Sequence, residues 1–171
     1  MTLLPKIRTA KPEDLAGLPA LEAAADTLLA GMLRPGAALP PPATAGELAG
    51  ARQLLVAGDP PVGFARLEEV DGQAHLEQLS VHPAAAGAGL GRQLVAAALD
   101  WAGTGGYTSM TLCTFAGIAF NAPFYQSCGF YVVAEPGGDL ARLRRHERAL
   151  GLDTLGERVA MRRDLAPLGN T

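Results

Sequence analysis

The sequence predicts an α/β fold of the mixed α+β kind: a mixed, mostly antiparallel sheet of about seven strands, flanked by helices, with one parallel strand pair. Three observations predict it. Short apolar runs between Arg52 and His82 are separated by the turn signals Asp59-Pro60-Pro61 and Asp71-Gly72, the pattern of an antiparallel meander. A strand, helix, strand run then spans Ala74 to Phe115, and such a run implies a parallel crossover. The 171 residues are 49% hydrophobic, which suits one domain (residues 1–171) with a real core rather than a disordered chain.

Taken in order, Lys6 to Ala10 is a short first strand. A helix follows, with Thr9 or Lys11 near its cap, Pro12 in its first turn, and Glu13 and Asp14 placed to favour the helix dipole. Leu15, Leu18, Leu21, Ala25, Leu28 and Leu29 continue it on one face. Arg34 to Thr44 carries Pro35, Pro40, Pro41 and Pro42, which forbid helix interior and sheet centre. It reads as a connecting loop or as a flap over a substrate site. Ala45 to Ala51 is a short helical turn. Arg52 to Ala57, Val62 to Val70 and Ala74 to His82 are strands, the last two joined by the Asp71-Gly72 hairpin turn.

Leu90 to Ala102 is a helix, with Leu90, Leu94, Ala97, Ala98 and Trp101 at helical spacing and Gly103 as its C-cap. Thr108 to Phe115 is a strand that should lie parallel beside the Ala74 strand. Asn121 starts a short helix and Gly129 ends it. Phe130 to Ala134 begins a strand. Asp139 to Leu150 is a polar helix rich in arginine (Arg142, Arg144, Arg145, Arg148). It is either a solvated face or an element of the substrate side or of a dimer. Gly156 to Leu165 closes the sheet.

The chemistry centres on Leu76 to Leu94, a strand, a glycine turn and a helix. Pro83 cannot donate to a sheet ladder and biases His82 towards an extended conformation, so the strand ends there. Gly87, Ala88, Gly89, Leu90 and Gly91 follow. Such a turn leaves backbone N–H groups at a helix start without partners, and with the positive end of the helix dipole they suit an anion such as phosphate. Two sharper phosphate motifs are excluded. A P-loop needs a Lys after its glycines, and none follows here. A dinucleotide fingerprint needs Gly where Arg92 stands.

The motif resembles the acyl-CoA loop of the GNAT acetyltransferase superfamily, Arg/Gln-x-x-Gly-x-Gly/Ala preceded by Val-x-Pro. Val81-His82-Pro83 and Gly87-Ala88-Gly89-Leu90-Gly91 match it; Ala86 stands where the family most often has Arg or Gln. Thr9 to Asp14 resembles a frequent opening of the family, and Val62-Gly63-Phe64-Ala65 resembles its x-Gly-x-Ala strand. Asn121-Ala122-Pro123-Phe124-Tyr125-Gln126-Ser127-Cys128-Gly129-Phe130 resembles a second family element, Asn-x-x-(Ala)-x-x-Phe-Tyr-x-x-x-Gly-Phe, in which the Ala is optional. The two specific segments occur in the family's order.

The resemblance implies a twisted GNAT sheet whose parallel strands splay apart to admit the pantetheine arm of acetyl-CoA. It implies cofactor contacts at Leu79, Ser80, Val81, Ala86, Gly87, Ala88, Gly89, Leu90, Gly91, Arg92, Asn121, Phe124 and Tyr125. Val81 N–H would bond the thioester carbonyl, and Asn121 the pantetheine arm or only its own helix. Direct acetyl transfer to an amine needs a base, an oxyanion donor and a proton for the leaving thiolate. Glu77 is the base candidate, or else an exposed strand carboxylate. In a regular strand it shares a face with Leu79, but strands of the family often bulge here. Glu68 and Glu69 are weaker alternatives. Tyr125 is the acid candidate, directed at the ligand on the face of Asn121, or else a core tyrosine, while Phe124 fills the core.

The chain then reads as an N-acetyltransferase acting on a primary amine of a small molecule or peptide. A non-catalytic acyl-CoA binding module on the same fold is the alternative. The net charge of −3 gives no electrostatic case for nucleic acid or an anionic membrane. No apolar run reaches spanning length and no signal-peptide profile opens the chain, so a cytoplasmic protein is expected. Richness in Ala, Gly, Pro and Arg suggests a bacterial source. Cys113 and Cys128 lack metal-ligand spacing and read as packed thiols. His75, His82 and His146 show no ligand partners, so no metal is expected. Family members often form homodimers.

Overall fold

The computed structural model describes residues 3–36 and 38–166. Ala37, within the proline-rich loop, and the ends of the expected domain lie outside the described residues. The strands are β1 (Ile7–Thr9), β2 (Gln53–Ala57), β3 (Gly63–Val70), β4 (Gln73–Val81), β5 (Ser109–Phe115), β6 (Tyr131–Val133) and β7 (Arg158–Asp164). They form a seven-stranded sheet in the order β1-β2-β3-β4-β5-β7-β6. Neighbours are antiparallel except β4 and β5, which pair parallel. The α-helices among the described residues are α1 (Leu18–Ala30), α2 (Ala45–Ala49), α3 (Leu90–Thr104), α4 (Ala122–Ser127), α5 (Gly138–Ala149) and α6 (Leu152–Leu155); the start expected for the first helix, Pro12–Gly17, is a 3-10 helix that precedes α1, and Pro83–Ala85 is another. None is long and apolar enough to cross a membrane.

Alternation along the strands divides the sheet into two faces. Leu55 and Ala57 join Ala65, Leu67, Leu76, Met110 and Leu112 under Leu90, Leu94 and Ala98 of α3. Leu54 and Val56 join Phe64 on the other face, under Leu18 and Leu21 of α1 and Leu48 of α2. Leu28, by contrast, is exposed. The single apolar face expected for α1 therefore serves the core only over its first turns.

Two features of β4 create the site. Arg66 pairs with Gln78, but Leu67 pairs with Leu76, so Glu77 is an extra residue in a β-bulge. In a regular strand Leu76 and Leu79 would face opposite sides. The bulge lets both pack on the α3 core. Of the two possibilities for Glu77, a regular strand shared with Leu79 or a bulge, the structure has the bulge, and the Glu77 carboxylate lies beside His75. The second feature is a split: β4 and β5 pair only over Ala74–Leu76 and Met110–Leu112, although β4 runs on to Val81 and β5 to Phe115.

Other expectations are corrected in detail. α3 continues through Gly103 and ends at Thr104; Gly105 is its C-cap, and Gly106 takes the left-handed turn (φ +83°). Asn121 makes no side-chain cap to α4. Pro123 has no N–H to offer where an N-cap side chain would find one. The α5 segment is not simply a solvated face. Arg144 is 4% exposed and pairs with Glu147 at 2.6 Å and Asp153 at 2.8 Å, while Arg158 of β7 also pairs with Glu147 at 2.7 Å. Asp71, in the β3–β4 turn, accepts from the N–H groups of Asp139 (2.7 Å) and Leu140 (3.1 Å) and so ties α5 to the hairpin.

Candidate active site

The split opens a cleft of about 620 Å³ between α1, β4, β5, the glycine turn and α4. Glu77, Leu79, Ser80, Val81, Ala86, Gly87, Gly89, Leu90, Gly91, Arg92, Asn121, Phe124 and Tyr125 all line it. Of the expected site residues only Ala88 does not.

The glycine turn forms one end. Gly87 and Gly89 have φ of +82° and +87°, where a side chain would be strained. A Cβ on either would meet no atom within 4 Å, so a ligand has direct access to the backbone. Gln93 N–H is the first in the turn to find a backbone carbonyl, that of Gly89. The N–H groups of residues 87–92 have no backbone or side-chain acceptor among the described residues. They sit at the N-terminus of the 15-residue α3, whose dipole adds positive potential. The geometry fits the diphosphate of CoA. Ala86 is exposed and adds no charge. Arg92 is the nearby cation: it donates to Ser127 Oγ (2.7 Å) and lies 5.5 Å from the Phe124 ring centroid. His82 is exposed beside the turn, its Nδ1 accepting from Ala84 N–H at 3.1 Å.

The split forms the middle. His82 N–H donates to Val62 O across to β3. Backbone groups alternate sides along a strand, so Val81 N–H points the other way, into the gap left by β5. Asn121, relieved of capping, also faces this gap. Tyr125 is 9% exposed and belongs to the α3 core, yet it also lines the cleft. Its hydroxyl finds no hydrogen-bond partner among the described residues, and burial holds it protonated far above the usual phenol range. Phe124 does both things expected of it only in part: it is half-buried, packed against the core, and lines the cleft beside Gly91 and Arg92.

Glu77 stands at the far end with its side chain 39% exposed. His75 holds its carboxyl below the usual range, helped by Arg66 and Arg158 and opposed by burial. The carboxylate is therefore ionised at neutral pH. Glu68 and Glu69 are engaged elsewhere, with Arg66 (2.8 Å) and Arg52 (3.1 Å), and line no part of the cleft. Asp26, Leu28 and Leu29 from the first long helix, α1, also line the cleft, together with residues that sequence reasoning did not single out for it: Cys113 and Phe115 from β5, Phe120, and Arg158 from β7. The Arg158 guanidinium lies 4.6 Å from the Phe115 ring centroid. Burial pushes the Cys113 thiol up to about 12, so no thiolate nucleophile forms there at neutral pH. The described residues contain no cluster suited to a metal ion.

The model of the acetyltransferase (GNAT) family matches residues 38–130. Solved structures agree over nearly the whole chain. The PaiA N-acetyltransferase of Thermoplasma acidophilum, in complex with coenzyme A, is 16% identical, with 96% of this chain and 100% of that one covered at a TM-score of 0.70. The ribosomal-protein-S18-alanine N-acetyltransferase of Escherichia coli is 18% identical, with 97% of each chain covered at 0.63. A GNAT family N-acetyltransferase of Escherichia coli in complex with CoA is 21% identical, with 97% and 84% covered at 0.61. At these identities the likeness is one of fold.

Proposed function

The chain belongs to the GNAT acetyltransferase family, an acyltransferase family that uses acetyl-CoA, and on that premise we propose that it acetylates a primary amine of a small molecule or peptide by direct attack within a ternary complex. The observation that carries the proposal is a single cleft with unpaired N–H groups at one end and an ionised carboxylate at the other.

Acetyl-CoA would lay its diphosphate on residues 87–92 and its pantetheine arm in the split, with Asn121 bonding the arm. Val81 N–H would meet the thioester oxygen. An incoming ammonium ion gives a proton to Glu77, directly or through water. The freed lone pair attacks the carbonyl carbon, and negative charge develops on the oxygen, where a positioned N–H is worth most. The C–S bond then breaks, the departing thiolate takes a proton from the Tyr125 hydroxyl, the second proton on nitrogen passes through water to the Tyr125 oxygen, and Glu77 releases its proton to solvent. Burial keeps Tyr125 protonated but makes it a reluctant acid, so its help is modest.

Incubation with acetyl-CoA and a panel of primary amines, followed by free thiol and product mass, tests this. An acetylated amine is expected. Bound acetyl-CoA with no product from any amine would leave only a binding module. Glu77→Gln should lower turnover most at low pH, where the amine is protonated, and matter less as free amine grows. An equal loss at every pH would refute the base role.

A further inference from the structure

We infer that His75 is a positioning residue for Glu77, and that the Thr111–His75 pair beneath the cleft fixes the direction of that carboxylate. This rests on the reading of Glu77 as the base.

Glu77 needs such support. It is the extra residue of the bulge, its side chain has several rotatable bonds, and it opens onto the cleft. Left alone it would sample many rotamers, and holding it in one carries an entropic cost. His75 precedes it by two residues on β4 and is 1% exposed. The parallel register sets His75 directly beside Thr111 of β5. His75 Nδ1 lies 2.7 Å from Thr111 Oγ1, and Nε2 lies 3.5 Å from Glu77 Oε2. A buried ring nitrogen needs a partner. An ionised carboxylate only accepts, so Nε2 carries the hydrogen that faces Glu77. The Thr111 hydroxyl donates to Nδ1 when the ring is neutral and accepts from it when the ring is charged. In both states one N–H is aimed at the carboxylate. The separation is at the long end for a hydrogen bond, and such contacts commonly tighten once substrate is bound.

The surrounding charges do not perform this role. Arg66 of β3 favours an ionised Glu77 but is bonded to Glu68, which stands opposite His75 across the β3–β4 ladder. Arg158 of β7 also favours it but is bonded to Glu147 of α5. Asp26 of α1 and Cys113 of β5 line the cleft and offer no cation. Among these groups only His75 approaches Glu77 as an ion-pair partner.

The test is a carbon-13 NMR titration of the Glu77 carboxyl in glutamate-labelled protein, assigned with Glu77→Gln, together with the nitrogen-15 spectrum of the His75 ring. The wild-type ring should carry a proton on Nε2. Glu77 should titrate at higher pH in His75→Leu. It should stay near the wild-type position in His75→Gln, whose amide can replace the Nε2 donor, and shift by an intermediate amount in Thr111→Val. A bare Nε2 in the wild type, or an unmoved Glu77 titration in folded His75→Leu, overturns the inference. Should His75→Leu fail to fold, an unmoved titration in Thr111→Val does so. These readings need no acceptor and report the coupling whether or not Glu77 proves to be the base, so the two proposals fail separately.

Discussion

Tyr125 meets Phe124 edge-on, ring centroids 5.1 Å apart and planes at 62°, yet the neighbouring rings serve different surroundings. Tyr125 packs edge-on against Phe130 at 5.9 Å and belongs to the core. Phe124 lies beside Arg92 at the glycine turn. Tyr125→Phe keeps the packing and removes a hydroxyl that has no partner among the described residues, so the melting temperature should hold. Turnover should fall by about 10², the low end for a general acid. Acetyl-CoA affinity, measured by calorimetry, should be kept. Full activity would leave Tyr125 as a packing residue only.

Ala86 is an exposed position beside the unpaired N–H groups, and the nearby Arg92 is engaged with Ser127. Ala86→Arg should tighten acetyl-CoA by at most roughly 1.5–3 kcal/mol, the worth of one charge-assisted hydrogen bond, and by less where water screens it. Calorimetry reads the change. Weaker binding in a folded variant would mean that another group occupies the space.

Glu22 of α1 is 7% exposed, and its carboxylate accepts from Ala43 N–H at 3.0 Å, pinning the end of the proline-rich loop. Burial first, and then the nearby Asp26, push its carboxyl up to about 7. The folded state therefore binds a proton that the unfolded chain has already released, and stability from this group falls as pH rises from the ordinary carboxylate range through about 7. Glu22→Gln keeps an oxygen for Ala43 and loses the charge. It should match the wild type in melting temperature near pH 4 and exceed it near pH 8; a constant difference across pH would contradict the assignment.

Arg144 satisfies Glu147 and Asp153 from a buried position, and Glu147 in turn holds Arg158, which lines the cleft. Arg144→Met leaves Glu147 short of charge compensation. Breaking a buried pair from one side costs about 3–5 kcal/mol, less here because Arg158 remains as a second partner. Denaturant unfolding should show the loss. A cost within error would mean that the α5 network is dispensable.

Much of this was legible in the sequence because the signals are local. The glycines, Pro83 and the Asp71-Gly72 turn each demand a particular backbone, and the turn duly has φ of +56° and +71°. The unread parts depend on partners distant in sequence. The bulge at Glu77 follows from Leu76 and Leu79 both seeking the α3 core, which no local pattern announces. His75 looked unpartnered because Thr111 is distant in sequence and only the parallel register joins them. Arg144 looked solvated because its partner Asp153 and the neighbouring Arg158 lie on later elements. One local signal was overlooked: Pro123 two residues after Asn121 already argues against a side-chain cap.

The central claim is that the N–H row at residues 87–92 receives acetyl-CoA, and titration calorimetry with Gly89→Trp tests it most directly. Gly106→Trp is the control. Both glycines have strongly positive φ, +87° and +83°, and a Cβ on either meets open space, but only Gly89 lines the cleft. Backbone strain, about 1–2 kcal/mol, is then matched between the variants. The account predicts that wild type and Gly106→Trp bind acetyl-CoA alike and that Gly89→Trp, still folded, does not. Equal binding by Gly89→Trp, or no heat from wild-type protein at millimolar acetyl-CoA, would contradict it.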